Sequence, residues 1–269
     1  MIIPLIFFVF GAIVGSFLNV CIHRMPLNQS IVFPRSHCPS CSKDIAWFDN
    51  IPLLSFILLK GRCRHCGKPI SPRYPLVEFI TGSFFLLMGA IYGAQAQAVY
   101  YCLFFSLLCV ATFVDIQYQI IPDEISIGGT AAALLLNVLA GIRPQPVIFD
   151  WHPVLRSFFG AAVGAGIIYA AGVLFDLVYF RILKKPPVEG ETSSMGMGDV
   201  KLMAMIGAFL GPEKAVMTFF LAPFPGAIVG IINLVFKKSH VIPYGPFLSL
   251  AAIISFLAGN RIIALLIPV

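Results

Sequence analysis

"YYCLFFSLLCVATFVD", residues 100–115, runs fifteen uncharged residues into a single aspartate. Such a run is too apolar for a surface helix, and its closing carboxylate is a costly group in oil. The chain around it has the same character. Of 269 residues, 59% are hydrophobic and only 11% are charged, and mean hydropathy is +0.92. Water-soluble domains carry roughly 25% charged residues. A soluble fold would have to hide many runs of helix-spanning length, so the sequence predicts an all-α polytopic membrane protein. The net charge of +6 bears on orientation more than on a nucleic-acid partner.

Outward from this run, further apolar stretches lie near residues 2–20, 75–93, 124–142, 154–180, 199–210, 214–236 and 245–266. With 98–116 they predict about eight transmembrane helices. The 199–210 stretch is short for a full crossing, which suits a segment that is tilted, re-entrant or buried in protein. No basic residue precedes the first run, and Arg24 follows it. A secretory signal peptide carries its positive charge in front. The first run is therefore expected to be a retained helix with its N-terminus outside.

Residues 23–73 interrupt the apolar pattern. They hold eight Lys and Arg residues against Asp44 and Asp49, so the positive-inside rule makes this insert cytoplasmic. Within it, Ile51 to Leu59 is apolar enough to touch the membrane surface. The expected partition is a first helix at 1–22, the insert at 23–73 and a membrane body at 74–269. Alternating from an outside N-terminus puts Arg181, Lys184, Lys185, Lys237 and Lys238 inside as well. Only Arg143, Arg156, Lys214 and Arg261 fall outside. A seven-helix count would reverse the placement of Lys237 and Lys238.

The insert contains Cys38-Pro-Ser-Cys41 and Cys63-Arg-His-Cys66, with 21 residues between the pairs. A CxxC turn aims two sulfurs at one point, and two such turns build a tetrahedral four-sulfur site suited to zinc. Two disulfides or a redox pair form the rival reading, which a cytoplasmic position disfavours. Four sulfurs leave no open coordination position, so the metal is expected to be structural and to fold a segment too small for a large core. His37 and His65 adjoin the ligands as bystanders. Cys21, Cys102 and Cys109 lie in apolar runs as packing residues.

Few carboxylates border the apolar runs: Glu78, Asp115, Asp123, Glu124, Asp176 and Asp199. Asp176 is expected to pair with Arg181 near a helix end. Asp115 closes an inward helix and Asp199 opens an outward one, so counting crossings puts both at the cytoplasmic end. Two carboxylates brought together share a proton. One can then take a proton from water while the other gives one to a carbonyl oxygen, which is peptide hydrolysis without metal or covalent intermediate. Neither GxSxG nor HExxH is present to support another hydrolytic route. An ion or proton path also uses membrane carboxylates, and spacing leaves the two open. Gly196 and Gly198 permit close backbone approach beside Asp199, either for an extended substrate or as a plain turn.

Several stretches occur together in one order: "GSFLNVCIHRMP" (15–26), "CPSC" (38–41), "NIPLLSFILLKGRCRHCGKPISPRYPLVE" (50–78), "VDIQYQIIPDEIS" (114–126) and "GMGDVKL" (196–202). The set resembles the bacterial type IV prepilin peptidases, leader peptidase and N-methyltransferase enzymes of pilus, type II secretion and competence systems. The resemblance covers nearly the whole chain. The GxGD element alone is shared with archaeal preflagellin peptidases and presenilins, which lack the cysteine insert. The resemblance implies that Asp115 and Asp199 are the catalytic aspartates, that Asp123 is a nearby third carboxylate, and that Cys38, Cys41, Cys63 and Cys66 hold zinc. It implies a prepilin or pseudopilin substrate with a short basic leader, cut after a glycine at the cytoplasmic face of the inner membrane. The new N-terminus, usually phenylalanine, is then methylated from S-adenosylmethionine. No glycine-rich dinucleotide fingerprint marks a site for that donor. The insert and Glu78 are candidates, with Glu78 equally a partner for Arg73. Lys201 is expected either to tune the carboxylates or touch substrate, or to snorkel to headgroups.

Two other classes stay on the table at this stage. One is a membrane carrier or proton path with a zinc-stabilised cytoplasmic domain, although repeated halves, frequent in transporters, are missing. The other is a membrane anchor whose basic insert binds nucleic acid, although positive-inside bias explains the same charges.

Overall fold

The computed structural model describes residues 2–141, 152–182, 196–236 and 243–266. The chain divides into two compact units, Met1–Val114 and Asp115–Val269. Each predicted apolar run is helical over most of its described residues. Among the described residues, six helices are long and apolar enough to cross a membrane. The expected charges at Arg143, Lys184, Lys185, Lys237 and Lys238 lie outside the described residues, and so does the Arg181 side chain expected to meet Asp176.

The first unit contains α1 (Ile2–Arg24), α2 (Leu54–Leu58), α3 (Arg73–Tyr92) and most of α4 (Ala96–Tyr118). In a bilayer, helices gain little from leaving lipid and associate through close packing. The α1–α3 contact is built that way. A Cβ on Gly15 would come within 2.7 Å of the Glu78 Cα, and one on Gly11 within 2.7 Å of the Phe85 Cβ. Asn19 Nδ2 adds a 3.1 Å bond to the Tyr74 carbonyl. Phe84 of α3 stacks on Phe105 of α4 at 4.1 Å between ring centroids.

Two buried polar groups tie the insert to these helices. Arg24 ends α1 and donates to the carbonyls of Ser30 at 2.9 Å and Pro34 at 2.8 Å. Glu78 of α3 accepts the Leu53 N–H at 2.8 Å. Leu53 takes a left-handed φ of 62°, which is strained for a side chain with Cβ. Arg73, offered as one of two alternatives for Glu78, stacks over the Tyr74 ring at 5.2 Å and makes no ion pair among the described residues.

The second unit contains Asp115 at the end of α4, then α5 (Asp123–Ala140), α6 (Pro153–Asp176, continued by a π-helical turn Leu177–Ile182), α7 (Met197–Leu210), α8 (Pro212–Leu221), α9 (Pro223–Val235) and α10 (Gly245–Leu266). The predicted 214–236 helix is interrupted at Ala222 ahead of Pro223, yet Pro212–Asn233 still forms one stretch long and apolar enough to cross a membrane. Proline lacks an N–H and interrupts the ladder there.

The short α7 resolves the choice left by its length: it is enclosed in protein. Its residues 202, 203, 205, 206, 208 and 209 have no exposed surface. It packs on α6 through glycines. Gly207 lies against the Gly160 carbonyl, Gly160 against the Gly207 carbonyl, and Gly164 against the Met203 carbonyl, so close that no Cβ fits at any of the three. Ser157 of α6 donates to the Ala208 carbonyl at 2.8 Å.

A buried ion pair holds the far end of α7. Arg156 of α6 meets Glu213 of α8 through two bonds of 3.2 and 2.7 Å, and its side chain is 2% exposed. Arg156 also fills the space beside Gly211, whose φ of +86° turns α7 into α8. Neither Arg156 nor Lys214 is therefore a free outer-face charge. Lys214 is buried, with its Nζ over the Phe256 ring at 5.9 Å.

Candidate active site

Asp199 stands in the first turn of α7, behind Gly196, which takes extended backbone as the residue before the helix. The glycine packing of α7 on α6 sets where this turn lies. Asp115 stands in the last full turn of α4 and is 6% exposed. Its Oδ2 accepts the N–H of Gly245, first residue of α10, at 2.8 Å. The two aspartates are near enough for the charge on Asp115 to act on Asp199. Tyr244 lies within reach of the Asp199 charge in turn. Both aspartates therefore stand at helix ends, Asp115 in the last turn of α4 and Asp199 in the first turn of α7. Tyr244 and Gly245 were not anticipated, and nothing in their local sequence marks them beyond a Pro-Tyr-Gly-Pro turn.

The remaining candidates separate. Lys201 forms a 2.6 Å ion pair with Asp123 at the start of α5. The pair is 33% and 58% exposed, so solvent screens it and its worth is under about 1 kcal/mol. Gly198 gives its free space to Ile121, which a Cβ would meet at 3.3 Å. Among the described residues, the nearest atom to a Cβ on Gly196 is Asp199 Oδ2, at 3.4 Å. Glu78 belongs to the first unit and is occupied by the Leu53 N–H.

The four cysteines converge in the first unit. Their sulfurs all lie within 4.8 Å of one another, with Cys38 and Cys66 at 3.9 Å. Sulfurs around a tetrahedral zinc at about 2.3 Å stand roughly 3.8 Å apart, so the donor set fits that ion. The two turns share one backbone pattern. Cys38 N–H donates to Lys43 and Ser42 N–H to Cys38, as Cys63 N–H donates to Lys68 and Gly67 N–H to Cys63, all at 2.8–2.9 Å. Ser42 and Gly67, four residues after each first cysteine, both take a left-handed φ. Backbone N–H groups of Cys66 and His65 turned at Cys63 bring its thiol down to about 7. Burial and the thiols of Cys63, Cys41 and Cys38 push Cys66 up to about 11, so Cys63 gives up its proton first. Arg64, between the cysteines, grips Asp49 with bonds of 2.7 and 2.6 Å and holds that carboxyl below its usual range.

Fold and site define a class: a helical, multi-pass membrane protein with a four-cysteine module and buried or half-buried aspartates at helix ends. Residues 9–92 match the bacterial peptidase A24 N-terminal domain, and residues 102–231 match the type IV leader peptidase family. A prepilin leader peptidase/N-methyltransferase of Klebsiella pneumoniae is 37% identical over 221 residues, covering 80% of this chain and 88% of that protein. One from Bacillus subtilis (strain 168) is 33% identical over 262 residues and covers 96% of each. Another, from Myxococcus xanthus (strain DK1622), is 37% identical over 227 residues, 84% of this chain; the match spans only 62% of that longer protein. The chain belongs to the type IV leader peptidase family. No solved structure matches it.

Proposed function

We propose that this protein removes the leader of a prepilin or pseudopilin and N-methylates the new N-terminus, with Asp115 and Asp199 as the hydrolytic pair. What supports the pair is the electrostatic influence of Asp115 on Asp199, in a family whose relatives are named for both activities. Asp115 takes a proton from water as the water oxygen bonds to the scissile carbonyl carbon, and Asp199 gives its proton to the carbonyl oxygen. The C–N bond of the resulting gem-diol then breaks. The amine nitrogen takes the proton from Asp115, and Asp199 recovers one from a diol hydroxyl. Both carboxyls end as they began, and no metal takes part.

Zinc, when bound by Cys38, Cys41, Cys63 and Cys66, supplies a cross-link between the two turns of the insert. S-adenosylmethionine is the proposed methyl donor. No described cluster of residues singles out its site, so no step of the transfer is derived. The basic charges of residues 23–73 support a cytoplasmic position for the insert, a cut on that side of the inner membrane, and an outside N-terminus.

Mass spectrometry of a co-expressed prepilin tests both activities, since leader loss and the gain of one methyl group are separate mass changes. Asp115→Asn and Asp199→Asn are each expected to abolish leader loss while zinc content stays normal. Full cleavage by either variant removes that aspartate from the reaction.

A further inference from the structure

The start of α10 has one outward-facing amide. Phe247 and Leu248 direct their N–H groups back to the Tyr244 carbonyl, at 3.0 and 3.2 Å, and Pro246 has none. The Gly245 N–H remains, and it goes to Asp115 Oδ2. The Asp115 side chain also lies along the bare Cα of Gly245. A Cβ there would meet Oδ2 at 2.8 Å, Cγ at 3.3 Å and the Asp115 Cβ at 3.4 Å. Oδ1 accepts no hydrogen bond from a described residue.

We propose that Gly245 is a positioning residue for Asp115: its N–H holds Oδ2, and its missing side chain makes the space in which the carboxylate lies, so that Oδ1 is the oxygen turned to the reacting water. The inference rests on the Asp115–Asp199 reading above and deepens it. An N–H bond to a carboxylate is charge-assisted and strongly directional. Placed in a buried site, it fixes the one torsion that decides which oxygen faces the substrate. The device is asymmetric. Asp199 also lies beside a glycine, Gly196, but its Oδ2 is 3.4 Å from a Cβ there, an ordinary contact.

The test is sharp because Gly245 is not among the glycines with a left-handed φ. Alanine suits its backbone, and only contact with Asp115 opposes the new methyl. In the full-length, zinc-loaded protein, Gly245→Ala is expected to lower kcat for leader removal by about 100-fold, the scale of an ångström's misplacement of a reacting group. KM is expected to stay within about twofold, since binding is untouched. Gly128→Ala, on α5 with nothing within 4 Å of the new Cβ, is the control and is expected to match the parent protein.

A second measurement covers a Gly245→Ala protein that fails to fold. Tyr–Gly occurs twice in the sequence, at 92–93 and 244–245. Labelling tyrosine carbonyls with carbon-13 and glycine amides with nitrogen-15 therefore selects two amide signals. Asp115→Ala is expected to move the Gly245 amide proton upfield and leave Gly93 in place. An unmoved Gly245 signal overturns the proposal. So does normal kcat in Gly245→Ala when Asp115→Asn is inactive, and that result leaves the catalytic pair standing. Full activity in Asp115→Asn overturns the pair itself, and the positioning role with it.

Discussion

Gly207 of α7 lies face to face with Gly160 of α6, each against the other's carbonyl, with no space for a Cβ on either. This contact carries α7, and therefore Asp199, into the protein. An alanine at either site must push the helices apart. Overpacking of this kind costs about 1–3 kcal/mol. Gly207→Ala is expected to lower the unfolding temperature in detergent and to reduce cleavage together with it. Gly166→Ala, on the same helix as Gly160 but facing open space, is expected to do neither.

Arg156 and Glu213 make the buried pair at the other end of α7. Removing one partner of such a pair costs about 3–5 kcal/mol, because the other charge stays buried. Glu213→Gln is expected to destabilise the protein strongly in a thermal unfolding assay. Arg156→Met combined with Glu213→Leu is expected to recover much of the loss, since it leaves no buried charge. Equal destabilisation by the double variant would show that the charges are not the issue.

The four-sulfur cluster predicts one zinc per chain by elemental analysis. Cys38→Ser, a buried ligand position, is expected to lose most of that metal and to expose the insert to proteolysis. Structural zinc sites contribute about 10–16 kcal/mol of apparent binding energy in small domains, so the insert is expected to unfold with metal loss.

Asp49 titrates below an ordinary carboxyl because Arg64 hydrogen-bonds its charged form. A lowered folded-state pKa contributes stability above the unfolded value, about 3.9, and that contribution disappears as pH falls through the folded value. Asp49→Asn is therefore expected to weaken the insert at neutral pH and to make no difference at strongly acid pH. Arg64 is half exposed, so the effect is small and shrinks further in high salt. Unfolding of the zinc-loaded protein at several pH values checks the sign.

Much of this protein was legible along the chain because its signals are local. Apolar runs mark helices wherever they sit, and CxxC spacing marks a sulfur cluster. The four cysteines did converge, and the short 199–210 run did turn out to be enclosed. The partners of the charged groups were another matter. Glu78 was offered to Arg73 and bonds Leu53 instead. Lys201 meets Asp123, 78 residues away; Arg156 meets Glu213 across 57 residues; Gly245 meets Asp115 across 130. Hydrophobic periodicity says which face of a helix avoids water. It does not say which turn of another helix that face meets. The membrane helices and the four-sulfur cluster were therefore determined by the sequence itself. Helix packing decided which glycines let the helices close and which backbone N–H holds Asp115, because those contacts exist only after distant segments are brought within a few ångströms.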